Sequence, residues 1–143
     1  PEERPAYFPR PPEERQVLRQ KTLAVGEMDA VQAAEEMEML DHRFYLFREA
    51  SPEVDAVVYR RDDGRIGVIG PIGTGWSGPD EYGFVREDSR GPEPRRLEDV
   101  IAEMNELNHR FLYFVDESSD RARVIYLRYD GHYGLIEPRE DSA

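Results

Sequence analysis

Two histidines stand at matching places in this chain, His42 in the run LDHRF and His109 in the run LNHRF. A histidine next to a carboxylate or amide can act as a general base or bind a metal, and two such residues could face each other across a twofold axis. Asp62, Asp63 and Asp130 supply carboxylates of the kind that hydrolytic chemistry uses. The segment GTGWSG at 73–78 fits the G-x-G-x-x-G pattern, which cradles a pyrophosphate when a strand precedes it and a helix follows. The neighbouring residues favour plainer roles for all of these. Each histidine lies where a helical pattern gives way to a strand pattern, which suits a helix end. Asp63-Gly64 and Asp130-Gly131 are favoured hairpin turns. Gly78-Pro79-Asp80 follows the glycine segment in place of a helical stripe, so 73–78 reads as a flexible connector that Trp76 pins to a neighbour. Glu35, Glu36 and Glu38 read as a solvated helix face, with contact to basic proteins as the minority reading. There is no cysteine, no nucleophile–base constellation and no metal-ligand spacing in the sequence. The expectation is a protein that associates, with no enzymatic activity, cofactor or metal.

The elements that position these residues come from a chain of 143 residues, 38% apolar and 35% charged, with room for one modest core. Its 31 acidic residues outnumber 19 Lys and Arg, for a net charge of −12. Affinity for nucleic acid comes from neutralised phosphates, so direct nucleic-acid binding is not expected. The pairs Arg60-Arg61 and Arg95-Arg96 read as solvated surface. The sequence has no apolar run of membrane-spanning length and no signal-peptide pattern. A cytoplasmic protein is expected, consistent with the absence of cysteine. The first residue is Pro, from which a piece of a longer protein is expected.

The chain repeats itself. An offset of 67 residues carries YRRDDGRIGVIGP at 59–71 onto YLRYDGHYGLIEP at 126–138, and MEMLDHRFYLF at 37–47 onto MNELNHRFLYF at 104–114. Fifteen of the thirty-five positions from 37 to 71 are identical without a gap. This is the signature of a duplicated unit. Ala30, Ala33, Ala34, Met37, Leu40 and Phe44 form one apolar helical stripe, and Leu97, Val100, Ile101, Met104, Leu107 and Phe111 repeat it. Asp29 is a candidate cap for the first helix. Aromatic runs FYLF and FLYF come next, then β-type runs, a hairpin turn and a last strand. Gly67 and Gly134 interrupt the last strands, which marks a bulge or a close packing contact. QVLRQKTLAV and YGFVRED read as a further strand ahead of each helix. The predicted fold class is α+β, with two tandem β-α-β-β-β units, each a helix on a small antiparallel sheet.

A unit of this size has a marginal core, and each carries more aromatics than one helix–sheet contact consumes. The two units are therefore expected to pack as an intramolecular pseudo-dimer. The candidate unit–unit or partner interface is Phe44, Phe47, Tyr59, Ile66 and Val68 with Phe111, Phe114, Tyr126, Tyr133 and Leu135.

The motifs MEMLDHRFYLF with VVYRRDDGRIGVIGP, and MNELNHRFLYF with VIYLRYDGHYGLIEP, resemble the C-terminal domain of long-form ribosome hibernation promoting factors, the sigma-54 modulation / S30AE family. The resemblance implies a ribosome-binding N-terminal domain on the small subunit, a linker, and a C-terminal domain that pairs two ribosomes by homodimerising. It implies the boundaries 1–15 for a Pro-rich linker remnant, 16–71 for the first unit, 72–80 for a Gly-rich connector, 81–138 for the second unit and 139–143 for a tail. The implied partner is the ribosome, chiefly through the N-terminal domain, with ribosomal proteins as further candidate contacts. This sequence departs from the pattern in having two such units, in Gly70 where Glu137 keeps the family's Glu-Pro, and in Leu127 and Tyr129 where the first copy has Arg60 and Asp62. Two units that pair within one chain would occupy the dimerising surface, so the expected role is silencing single ribosomes. The alternatives are a homodimerising module that joins two ribosomes, or a ribosome-independent regulatory protein-binding module. A small-ligand or nucleotide site built on the glycine segment and Trp76 is a further rival.

Overall fold

The computed structural model describes residues 10–21, 27–50, 53–89, 94–107 and 110–138. In chain order these form β1 (Val17–Lys21), β2 (Glu27–Met28), α1 (Ala30–Met39), β3 (Phe44–Ala50), β4 (Glu53–Arg60), β5 (Ile66–Gly70), β6 (Ser77–Pro79), β7 (Val85–Asp88), α2 (Leu97–Leu107), β8 (Phe111–Val115), β9 (Ala122–Leu127) and β10 (Tyr133–Glu137). His109, most of 1–15 and the tail at 139–143 lie outside the described residues.

Local chemistry explains the boundaries. Asp29 and Gln32 close a reciprocal capping box at the start of α1, with bonds of 2.8 and 3.0 Å. The helix ends where Asp41 turns left-handed (φ 55), and the N–H groups of His42 and Asp41 donate to the carbonyls of Met37 and Glu38. His42 is thus a helix-end residue, held by its backbone. The turn also corrects the predicted stripe: the helix stops at Met39, Leu40 is half-exposed, and Phe44 belongs to a strand. At both hairpins the aspartate carboxylate accepts a backbone N–H two residues on, and Gly64 and Gly131 take positive φ.

The described strands form two sheets, in the orders β2-β3-β4-β5-β7-β6 and β1-β10-β9-β8. Antiparallel hairpins run through the middle of each, but both are mixed, which corrects the expectation of purely antiparallel sheets. The leading strand of each repeat, β1 or β7, does not join the sheet of its own repeat. β1 pairs parallel with β10 of the second repeat, Leu18 opposite Gly134. β7 pairs parallel with β5 of the first repeat, Val85 opposite Gly67. The offset of 67 maps one pairing onto the other. Each repeat's sheet is therefore completed by the leading strand of the other. Gln16 fastens β1 at its start, donating to His132 Nδ1 at 3.0 Å and accepting from Tyr133 N–H at 2.9 Å.

Alternation along the strands builds three apolar layers. One face of the first sheet lies under α1, where Phe47, Ala56, Val58 and Val68 meet Ala30, Ala33 and Met37. The corresponding face of the second lies under α2, where Phe114, Ile125, Tyr133 and Leu135 meet Val100 and Met104. The opposite faces of the two sheets pack on each other through Leu46, Val57, Tyr113, Ala122 and Val124. The order of layers is helix, sheet, sheet, helix. Phe47 and Phe114 are fully buried at equivalent places. Replacing either with Ala is expected to cost about 3–5 kcal/mol in denaturant unfolding; a loss under about 1 kcal/mol for both would contradict this packing.

Candidate functional site

The face-to-face seam between the sheets is where the two repeats recognise each other. It is built from the inner positions of the central strands, and equivalent residues meet across it. Phe44 of β3 stacks on its own counterpart, Phe111 of β8, with centroids 5.4 Å apart and planes inclined by 15°. Tyr126 meets Phe44 edge-on at 5.3 Å, and Tyr59 meets Phe111 in the same way at 5.3 Å. Such offset and edge-to-face pairs add stabilisation beyond burial. The four rings follow a pseudo-twofold axis between Phe44 and Phe111.

The interrupting glycines serve these rings. A Cβ on Gly67 would lie 2.4 Å from the Tyr59 ring, and one on Gly134 would lie 2.2 Å from the Tyr126 ring. Each tyrosine lies flat across its glycine, a close packing contact. Beyond Gly67 the Tyr59 hydroxyl donates to Glu87 Oε1 on the exchanged strand β7 at 2.9 Å. Burial, and then this bond to a carboxylate, push the phenol up to about 12.

The ten candidate interface residues divide between two kinds of position. Phe44, Tyr59, Phe111 and Tyr126 lie on the seam. Phe47, Ile66 and Val68 pack beneath α1, and Phe114, Tyr133 and Leu135 beneath α2. The division follows the strand alternation, which turns Phe47 away from Phe44 and Val68 away from Ile69.

A polar anchor on the seam escaped the sequence reading. The buried Asp55 carboxylate of β4 accepts from Arg121 Nε at 2.9 Å, from Ala122 N–H at 3.2 Å and from Arg48 at 3.1 Å. Its backbone carbonyl accepts from the Tyr113 hydroxyl at 2.9 Å. Three of these four donors belong to the other repeat. Burial works against the ionised carboxylate, but the Arg121, Ala122 and Arg48 donors outweigh it and hold Asp55 below the usual range. The equivalents of Asp55, Arg121 and Arg48 are Ala122, Val54 and Val115, so comparing identical positions could not reveal the cluster. The available signal was an aspartate in the middle of an otherwise apolar strand, V-D-A-V-V.

The repeats also differ at the end of their last strands. In the first, Trp76 packs over Gly70, where a Cβ would lie 2.6 Å from the indole, and Arg86 sits 4.7 Å from the ring centroid. The connector is therefore folded: Asp88 accepts from Thr74 and from the N–H groups of Gly75 and Trp76, and β6 pairs with β7. The glycine segment itself runs into the short strand β6 at Ser77, so the helix N-terminus that pyrophosphate binding requires is absent at that place. In the second repeat the same space holds Glu137 and Arg123, both buried and 2.9 Å apart. Beside them opens a polar recess of about 390 Å³ lined by Arg19, Arg96, Asp116, Glu117, Ser118 and Glu137 among others. Among the described residues no group of three or more His, Cys, Asp or Glu is arranged to hold a metal, and no helix is long and apolar enough to cross a membrane.

Two titrations test the seam. Asp55 has its pKa lowered from 3.8, so its contribution is present above that value and is lost as pH falls through the folded pKa. Asp55→Asn is expected to cost about 3 kcal/mol at neutral pH and to flatten the stability–pH curve below pH 4. Tyr59 has its pKa raised from 10.0 to about 12, so its contribution holds below pH 10 and fades between 10 and 12. Tyr59→Phe should remove that alkaline decline in a denaturation series; an unchanged decline would discount the Tyr59–Glu87 bond.

Known proteins share this pattern. The family model described as "Sigma 54 modulation/S30EA ribosomal protein C terminus" matches the chain twice, over residues 12–68 and 80–135. A "Dormancy associated translation inhibitor" of Mycobacterium tuberculosis (strain ATCC 25618 / H37Rv) is 32% identical over 150 residues, covering 92% of this chain and 51% of that protein. A "Ribosome hibernation promotion factor" of Lactococcus lactis subsp. cremoris is 47% identical over 53 residues, 37% of this chain and 29% of its own. One from Bacillus subtilis is 41% identical over 57 residues, 40% of this chain and 30% of its own. The chain thus spans about half the length of the mycobacterial relative.

Proposed function

From the chain's membership of the Sigma 54 modulation/S30EA ribosomal protein C-terminus family, twice over, we propose that it is the association module of a cytoplasmic ribosome hibernation factor. The module helps hold ribosomes in a translationally silent state. The names of the similar proteins, a translation inhibitor of dormancy and ribosome hibernation promotion factors, support that reading. Ribosome binding itself is assigned chiefly to an N-terminal domain of the kind that the family resemblance implies.

The stacked pair Phe44–Phe111 carries the finer reading. The surface that two separate copies would use to join is here filled by a second repeat in the same chain. The exchanged strands β1 and β7 and the Asp55–Arg121 pair lock that arrangement. The module therefore acts as a closed pseudo-dimer, and its parent protein holds ribosomes one at a time. Its work is binding, with no catalytic step assigned to any residue.

Light scattering over a wide concentration range should give the mass of one chain throughout, and a stable dimer would overturn the single-ribosome reading. Sedimentation of the natural full-length protein with ribosomes should place it on single particles. Failure to co-sediment would overturn the ribosomal role itself.

A further inference from the structure

The two sheets differ along one edge. β1 corresponds to β7 under the 67-residue offset. β7 is covered on its outer side by β6, with Ser77 opposite Glu87 and Pro79 opposite Val85. β1 is the terminal strand of its sheet, and among the described residues nothing pairs with its outer side. We infer that this β1 edge, with the recess at its end, is a docking site for an extended, Lys/Arg-bearing segment of another protein.

The first repeat shows how such a segment sits. β6 lies antiparallel to β7 over three residues, and the residue before it, Trp76, enters the space at the end of β5. A guest on β1 would pair in the same way with 18–20, using main-chain hydrogen bonds that an edge strand leaves available. An aromatic residue cannot repeat the part of Trp76. At Gly70 even a Cβ would crowd the indole at 2.6 Å, and the second repeat has the full side chain of Glu137 there, 8% exposed and tied to Arg123.

The lining instead selects charge. Glu98 and Glu117 stand on the rim with side chains 66% and 50% exposed, and Asp116 lies deeper, 18% exposed. The arginines of the recess are already engaged, Arg96 with Glu98 and Glu117, Arg19 and Arg123 with Glu137. The lining holds four carboxylates, Glu98, Asp116, Glu117 and Glu137, against the three guanidiniums of Arg19, Arg96 and Arg123, so a cationic side chain meets the charge in excess and an anionic one does not. The net charge of −12 steers cations toward the surface and makes a second copy of this chain an unfavourable occupant. The inference goes beyond the proposed function and stands without it.

The test uses isotope-labelled chain and two synthetic nonapeptides, one alternating Val and Lys and its twin alternating Val and Glu. In the free chain, the outward amides of β1 should exchange with solvent faster than the equivalent amides of β7. The Val/Lys peptide should shift the amide resonances of 18–20 and slow their exchange, leaving 85–87 unchanged. The Val/Glu peptide should do neither. Glu98→Lys with Glu117→Lys, both exposed and outside the cores, should weaken the Val/Lys peptide about fivefold. Absence of binding, equal binding of both peptides, or indifference to the charge reversal would overturn the inference. So would concentration-dependent protection of β1 without peptide, which would give the edge to a second copy.

Discussion

The exchange of leading strands governs the rest of the structure. β1 completes the second repeat's sheet and β7 completes the first's, in the same parallel register. A helix on three strands has little core, and domains of this size are marginal alone. Exchange makes the two repeats one folding unit. The main-chain ladder of each sheet contains the other repeat, so neither sheet is complete until both are. The seam then needs only to pack faces that the exchange has already brought together. The tyrosines show the coupling: Tyr59 crosses Gly67 to reach Glu87, so the exchanged strand also fixes a ring of the seam.

Duplication within one chain releases the repeats from identity, and the chain uses that freedom. Two separate copies would place Asp55 on both sides of the axis. Here one side has Asp55 with Arg121 and Arg48, and the other has the small Ala122 and Val54. One carboxylate between two guanidiniums satisfies a buried charge, and its position on the seam fixes the relative placement of the sheets. Apolar packing alone would hold that placement less tightly, because it has little directionality. The same freedom let Trp76 fill the end of one repeat while the Glu137–Arg123 pair fills the other. The pseudo-twofold axis therefore relates two unequal ends.

The sequence by itself determined the repeat, its elements and its faces. The gapless match from 37 to 71 established the duplication, the Asp-Gly pairs located the hairpins, and the capping residue Asp29 began the first helix. These features are local, and their physics acts within a few residues. The crowding of Gly67 and Gly134 by tyrosine rings agrees with the reading of those glycines as close contacts. Local pattern misled where two signals overlapped: Phe44 fits both the helical stripe and the strand, and the left-handed Asp41 decides for the strand.

Which sheet a strand joins was decided only in three dimensions. β1 reads VLRQK, and nothing in that run distinguishes β5 from β10 as its neighbour. Main-chain hydrogen bonds carry no residue identity, and both last strands set a glycine, Gly67 or Gly134, opposite the incoming strand. The choice falls to the path of the chain and to the packing of whole layers. The same holds for the seam. Alternation says that Phe44 and Phe47 face opposite ways, but it does not say which side meets a helix and which meets another sheet. That assignment depends on where both helices lie, and for the same reason the Asp55–Arg121 contact across repeats could not be read from either strand alone.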